Sequence, residues 1–184
     1  MPSYPETVCR VVDFAGYVAE LVCTGGCDNG IIERVPITEA HYVAGDQRLA
    51  EGRVCPTCGA RLRVLNRVAV YWDGDRAVPA RNLPPGTLYW APWAHLRLGH
   101  CLYWDNCRGP HLHVVLPNGL HWDIDSRASN CARPHDRRHR CWVRHGDPPM
   151  VTVDIQGETC AAGAGSILVG DYHGFLRDGV LTAG

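Results

Sequence analysis

Polar and apolar positions alternate over several short stretches and recur at helical spacing over very few. Residues 9–13 and 17–22 predict two short strands around an Ala15-Gly16 turn, and residues 31–35 and 61–65 predict two more. Thr38 predicts the cap of a short helix running toward Glu51. Further along, the runs 111–116 and 120–125 flank Pro117-Asn118-Gly119. A two-residue Asn-Gly loop would mix polar and apolar residues on both faces. A three-residue loop with Gly119 left-handed instead pairs Leu116 with Leu120, Val114 with Trp122 and Leu112 with Ile124. Only that register gives one apolar face, and it sets His113 opposite Asp123 and His111 opposite Asp125. Asp178-Gly179 predicts a last hairpin, with His173, Phe175 and Arg177 on one side of its incoming strand. The fold class expected is β-rich, α+β with little helix.

Boundaries follow from shifts in composition. Residues 1–70 read as a zinc-ribbon-like module, 71–99 as a packed connector rich in Pro and Trp, and 100–184 as a His- and Cys-rich antiparallel β domain. No run of 18 apolar residues predicts a membrane span, and the start, Met1-Pro2-Ser3-Tyr4-Pro5, lacks the pattern of a signal peptide. A cytoplasmic protein is therefore expected, in a host cell or associated with a virion.

Ten cysteines in a reducing compartment favour metal over disulfides. Cys23-x3-Cys27 and Cys55-x2-Cys58 put two thiolates on each of two tight turns, the ligand supply of a tetrahedral Zn2+. Buried unpaired cysteines and a redox pair are the other readings of this spacing. A second zinc site is expected from Cys107, His111, Cys131, His135, His139 and Cys141, which crowd around the predicted hairpin. The loop at residues 133–140 is locally basic, fit either for solvent or for an acidic partner.

Net charge is −1 over 184 residues, so nucleic acid has no general attraction to the chain. All 18 basic residues are arginine. Without lysine there is no Schiff-base chemistry and no Walker-type phosphate loop, and any activity falls to Ser, His, Asp, Cys or metal. The same lack would leave only the N-terminus open to amine-directed tagging.

Cys107 ahead of His111-Leu112-His113, then Trp122, Gly165-Ser166-Ile167 and Tyr172-His173-Gly174-Phe175-Leu176-Arg177-Asp178-Gly179 together resemble a family of metal-binding proteins of phages and prophages. The block at residues 125–146 is similar to its phage branch, and the likeness covers roughly residues 84–182. Related domains in bacterial operons for ubiquitin-like conjugation are regarded as peptidases. The resemblance implies Ser166 as nucleophile and His173 as base, while the relatives' Pro-Ser-Ile is Gly165-Ser166-Ile167 here. His113 and Asp123 complete the candidate catalytic set, and Gly163 and Gly165 would free amides for an oxyanion. The expected function is that of a zinc-stabilised phage protein, either a peptidase-type hydrolase acting on a peptide substrate or a non-enzymatic virion or host-takeover protein that binds a protein partner. A metal-dependent nuclease built on His135 and His139 is a minor alternative.

Overall fold

The structure, a computed structural model, describes residues 3–27, 30–92, 110–128, 130–133, 135–136, 139, 141–154, 160 and 165–184. Within them the chain is β-rich with one short α-helix, and all strand pairings but one are antiparallel. It divides into two compact units, Asp13–Asn82 and Met1–Val12 with Leu83–Gly184. The boundary thus differs from a division at residues 70 and 99. Residues 71–79, read in sequence as connector, lie in the sheet of the first unit, while residues 7–11 pair in the second.

In the unit Asp13–Asn82, β3 (Phe14–Cys23) pairs with β4 (Ile31–Ile37) on one side and β5 (Leu62–Asp73) on the other, with β6 (Arg76–Pro79) at the edge. The predicted Ala15-Gly16 turn is instead a register shift inside continuous β3, at the positive-φ Gly16. Thr38 caps α1 (Glu39–Ala44), accepting from the His41 N–H, and the helix ends at left-handed Gly45. One face of the sheet buries Ala19, Leu21, Leu62 and Val64 with Ala50 and Cys55. On the other, Glu20 is fully buried, and its carboxylate accepts from Arg34 at 3.1 Å, Arg81 at 2.5 Å and Asn66 at 3.4 Å. Burial alone would raise its pKa, yet the two guanidinium groups hold it below the usual glutamate value.

The second unit is built on two four-stranded sheets. One runs β2 (Arg10–Val11), β7 (Thr87–Ala91), β8 (His111–Val115), β9 (His121–Asp123); the other runs β1 (Thr7–Val8), β14 (Val180–Ala183), β13 (Tyr172–Arg177), β12 (Ile167–Val169). A separate hairpin joins β10 (Val143–His145) to β11 (Thr152–Asp154). The sheets share one core: Leu88, Leu112, Val114 and Trp122 from the first, Ile167, Tyr172, Leu176 and Leu181 from the second, with Val151 and Val153. Alternation does the sorting in β8 and β13, where Leu112 and Val114, and Tyr172 and Leu176, face that core, whereas β7 contributes Leu88 alone.

The β8–β9 hairpin has the three-residue register. His113 pairs with Asp123, Val114 with Trp122, and the Leu116 N–H donates to the Leu120 carbonyl at 2.8 Å. Gly119 has φ 79°, a conformation that a side chain would strain. Asp178-Gly179 turns between β13 and β14, also as the pattern predicts.

Candidate metal centre

β3 ends on Cys23, which pairs with Leu62 at the start of β5, so the turn after one strand meets the turn before the other. Cys23 and Cys27 come from the first turn, Cys55 and Cys58 from the second, and their four sulfurs lie within 4.8 Å of one another. The Cys23–Cys58 Sγ separation is 3.4 Å and the Cys55–Cys27 separation 3.9 Å. A tetrahedral ion with metal–sulfur bonds of about 2.3 Å sets its sulfurs about 3.8 Å apart. All four are free thiols.

The turns are shaped around sulfur. Gly25 donates its N–H to Cys23 Sγ at 3.2 Å, and a Cβ placed on it would come within 2.7 Å of Ala60 Cβ and 3.1 Å of Cys58 Sγ. The second turn closes through Cys55 N–H to the Ala60 carbonyl at 2.7 Å and Gly59 N–H to the Cys55 carbonyl at 2.9 Å. Backbone N–H groups of Cys58 and Thr57 lower the Cys55 thiol to about 6, whereas the Cys58 and Cys23 sulfurs beside Cys27 push its thiol up to about 12. One thiolate at neutral pH next to a thiol reluctant to ionise is a set that a divalent cation would relieve.

A second group is Cys131, His139, Cys141 and Cys160, again with ligand atoms within 4.8 Å of one another. It differs from the set expected in sequence. His135 is exposed and outside it. His111 is engaged elsewhere, with Nδ1 2.8 Å from Asp123 Oδ2. Cys107 lies outside the described residues. The unforeseen member is Cys160, 19 residues past Cys141, whose spacing carries no ligand signature.

Two further polar groups stand on the face of the β7–β8–β9 sheet that points away from the shared core. Asp123 Oδ2 contacts His111 Nδ1 and lies 3.6 Å from His113 Nε2; the diagonal His111 contact replaces the expected His111–Asp125 pair. Asp125 instead accepts from Leu112 N–H and Arg144. The Asp123 hydrogen bond raises the His111 pKa against the opposing effect of burial. Tyr89 Oη and His121 Nδ1 are 2.6 Å apart.

The residues expected to form one catalytic cleft are divided between two faces. His113 and Asp123 lie, largely buried, on the side of one sheet that faces away from the shared core, and His173 on the far side of the other sheet, because Tyr172 and Leu176 on either side of it point into the core. Stacked sheets lie about 10 Å apart, so the core stands between the two sets. Ser166 is half-buried just before β12, in which Leu168 is the residue that pairs with His173. No side-chain hydrogen bond joins Ser166 to His173 among the described residues. Asp171, two residues before His173, accepts from Asn118 at 3.0 Å and from Tyr4. Gly163 lies outside the described residues.

No helix among the described residues is long and apolar enough to cross a membrane. No family model, curated protein or solved structure matches the chain.

Proposed function

We propose that the chain is a zinc-stapled recognition protein whose zinc-ribbon-like turns are held by a Zn2+ on Cys23, Cys27, Cys55 and Cys58, and which acts through a surface that binds a protein partner. What carries this reading is the closure of the thiolate set: four sulfurs mutually within 4.8 Å leave a tetrahedral ion no open position. Four-thiolate zinc holds structure, whereas catalytic zinc keeps a site for water. The partner surface is the outward face of the β1–β14–β13–β12 sheet. There Val8 is 72% and Leu168 71% exposed, beside Phe175 and an Arg177 guanidinium 4.9 Å above its ring. Exposed apolar side chains flanked by charge suit a protein contact. In the phage setting that the resemblance implies, the partner is a virion or host protein.

The test is co-sedimentation with purified particles and binding to host proteins, for the wild type and Leu168→Asp. Wild-type association lost in the variant is expected; association with neither would overturn the reading.

A second reading, a peptidase-type hydrolase, draws support from the buried His111–Asp123–His113 contact, an acid positioned to orient an imidazole. Turnover of a ubiquitin-like C-terminal peptide that falls with Asp123→Asn would establish it. Turnover that falls only with Ser166→Ala would point to the chemistry implied by the resemblance.

A further inference from the structure

We infer that Cys131, His139, Cys141 and Cys160 form a second zinc centre, of three thiolates and one imidazole, which clasps the segment after β9 to a residue beyond β11. The inference shares the zinc chemistry proposed for the first site and does not depend on any partner.

The donor geometry is that of one ion. Cys160 Sγ lies 3.8 Å from Cys141 Sγ, and Cys141 Sγ lies 3.8 Å from His139 Nε2. A tetrahedral zinc with bonds of about 2.3 Å to sulfur and about 2.0 Å to nitrogen spaces such pairs about 3.5 to 3.8 Å apart. Two backbone N–H groups donate to the same sulfurs, Ala128 to Cys141 at 3.3 Å and Arg133 to Cys131 at 3.4 Å. Outer hydrogen bonds of this kind orient thiolates in metal sites.

His139 supplies an independent observation. It is fully buried, and among the described residues its Nδ1 has no hydrogen-bond partner. Its Nε2 lies 3.8 Å from the Cys141 sulfur, and a metal bound at that nitrogen would give the fully buried imidazole a strong bond that a thiol contact does not. Zinc would bind three thiolates and a neutral imidazole, three thiol protons would pass to solvent, and the centre would carry a net charge of −1.

The clasp has a structural consequence. The ligand loop follows β9, which ends at Asp123, and returns at Trp142, whose Nε1 donates to the Ile124 carbonyl at 2.6 Å while its ring centroid lies 5.3 Å from that of Trp122. Arg127 donates to the carbonyls of Arg133 and Asp136 inside the loop. The centre thereby anchors the segment that carries Asp123 and Asp125.

The test uses the full chain with Co2+ replacing zinc. The wild type should bind two equivalents, with a visible spectrum that sums a four-sulfur and a three-sulfur, one-nitrogen centre. Cys160→Ser should lose one equivalent and leave the four-sulfur spectrum. His139→Cys, which keeps four ligands, should retain both equivalents and shift the mixed-ligand bands toward the four-sulfur form. A wild type with one equivalent and only the four-sulfur spectrum would overturn the second centre while leaving the first intact. A His139→Cys spectrum identical to wild type would overturn the ligand assignment. Should the variants be insoluble, the two-centre wild-type spectrum remains the deciding result. Loss of all metal from wild type would remove both sites together.

Discussion

The two cysteine clusters reach the same geometry by different routes. In the first, each pair of ligands lies on one tight turn, and one strand pairing, Cys23 with Leu62, brings the turns together. In the second, Cys131 stands eight residues from His139, and Cys160 arrives only after the β10–β11 hairpin. The first is written in local spacing; the second exists only once the chain has folded back on itself. Stability should follow the same division, with metal central to the small sheet unit and less so to the unit that also has the larger apolar core.

The largest effect separating them is expected from Cys55→Ser. Its residue is buried and its sulfur accepts from the backbone N–H groups of Cys58 and Thr57, and zinc binding to small domains contributes roughly 10–16 kcal/mol of folding free energy. Amide exchange should show loss of protection in β3 and β5 while β8 and β13 stay protected. Equal loss throughout would erase the distinction. Next comes Gly25→Ala, whose added methyl meets Ala60 and Cys58; zinc affinity at the first cluster should fall by about ten- to a hundredfold in a competition titration, with the second unaffected.

Smaller effects concern the charges each unit buries. Glu20→Gln should cost about 1–3 kcal/mol at neutral pH, toward the lower end because Arg34 and Arg81 are nearly half exposed. Since the Glu20 pKa is lowered, its contribution is present above the unfolded value of about 4.3 and is lost as pH falls through the folded one. The variant's denaturation midpoint should therefore lack that acid limb. Asp123→Asn acts with the opposite sign. His111 is raised, so its charged pair with Asp123 stabilises fully below about 6.5 and fades as pH rises through the folded value. The wild type should exceed the variant most at mildly acid pH. Leu168→Ser, on an exposed outward position, should change stability by less than about 0.5 kcal/mol in urea denaturation and affect only association.

What was legible in the sequence was what neighbouring residues decide. The register of the 111–125 hairpin followed from requiring one apolar face with Gly119 in the turn, the Thr38 cap from its side-chain oxygen, and the first cluster from two short spacings. Assembly was not legible. The strands at residues 7–11 are two residues long each, too short for periodicity to say which sheet they join. The pairing of His111 with Asp123 rather than Asp125 depends on side-chain reach across a diagonal. Cys160 has no neighbour in sequence to mark it as a ligand, and alternation alone could not show that His113 and His173 point away from opposite sides of one core.

The central claim is that metal, held by cysteine clusters, organises both units. The most direct measurement is the zinc-to-sulfur ratio of the purified wild-type chain by elemental analysis, with the sulfurs of its ten cysteines and two methionines as internal standard. Two zinc ions for every twelve sulfurs is the predicted result. A folded chain containing no metal would contradict it.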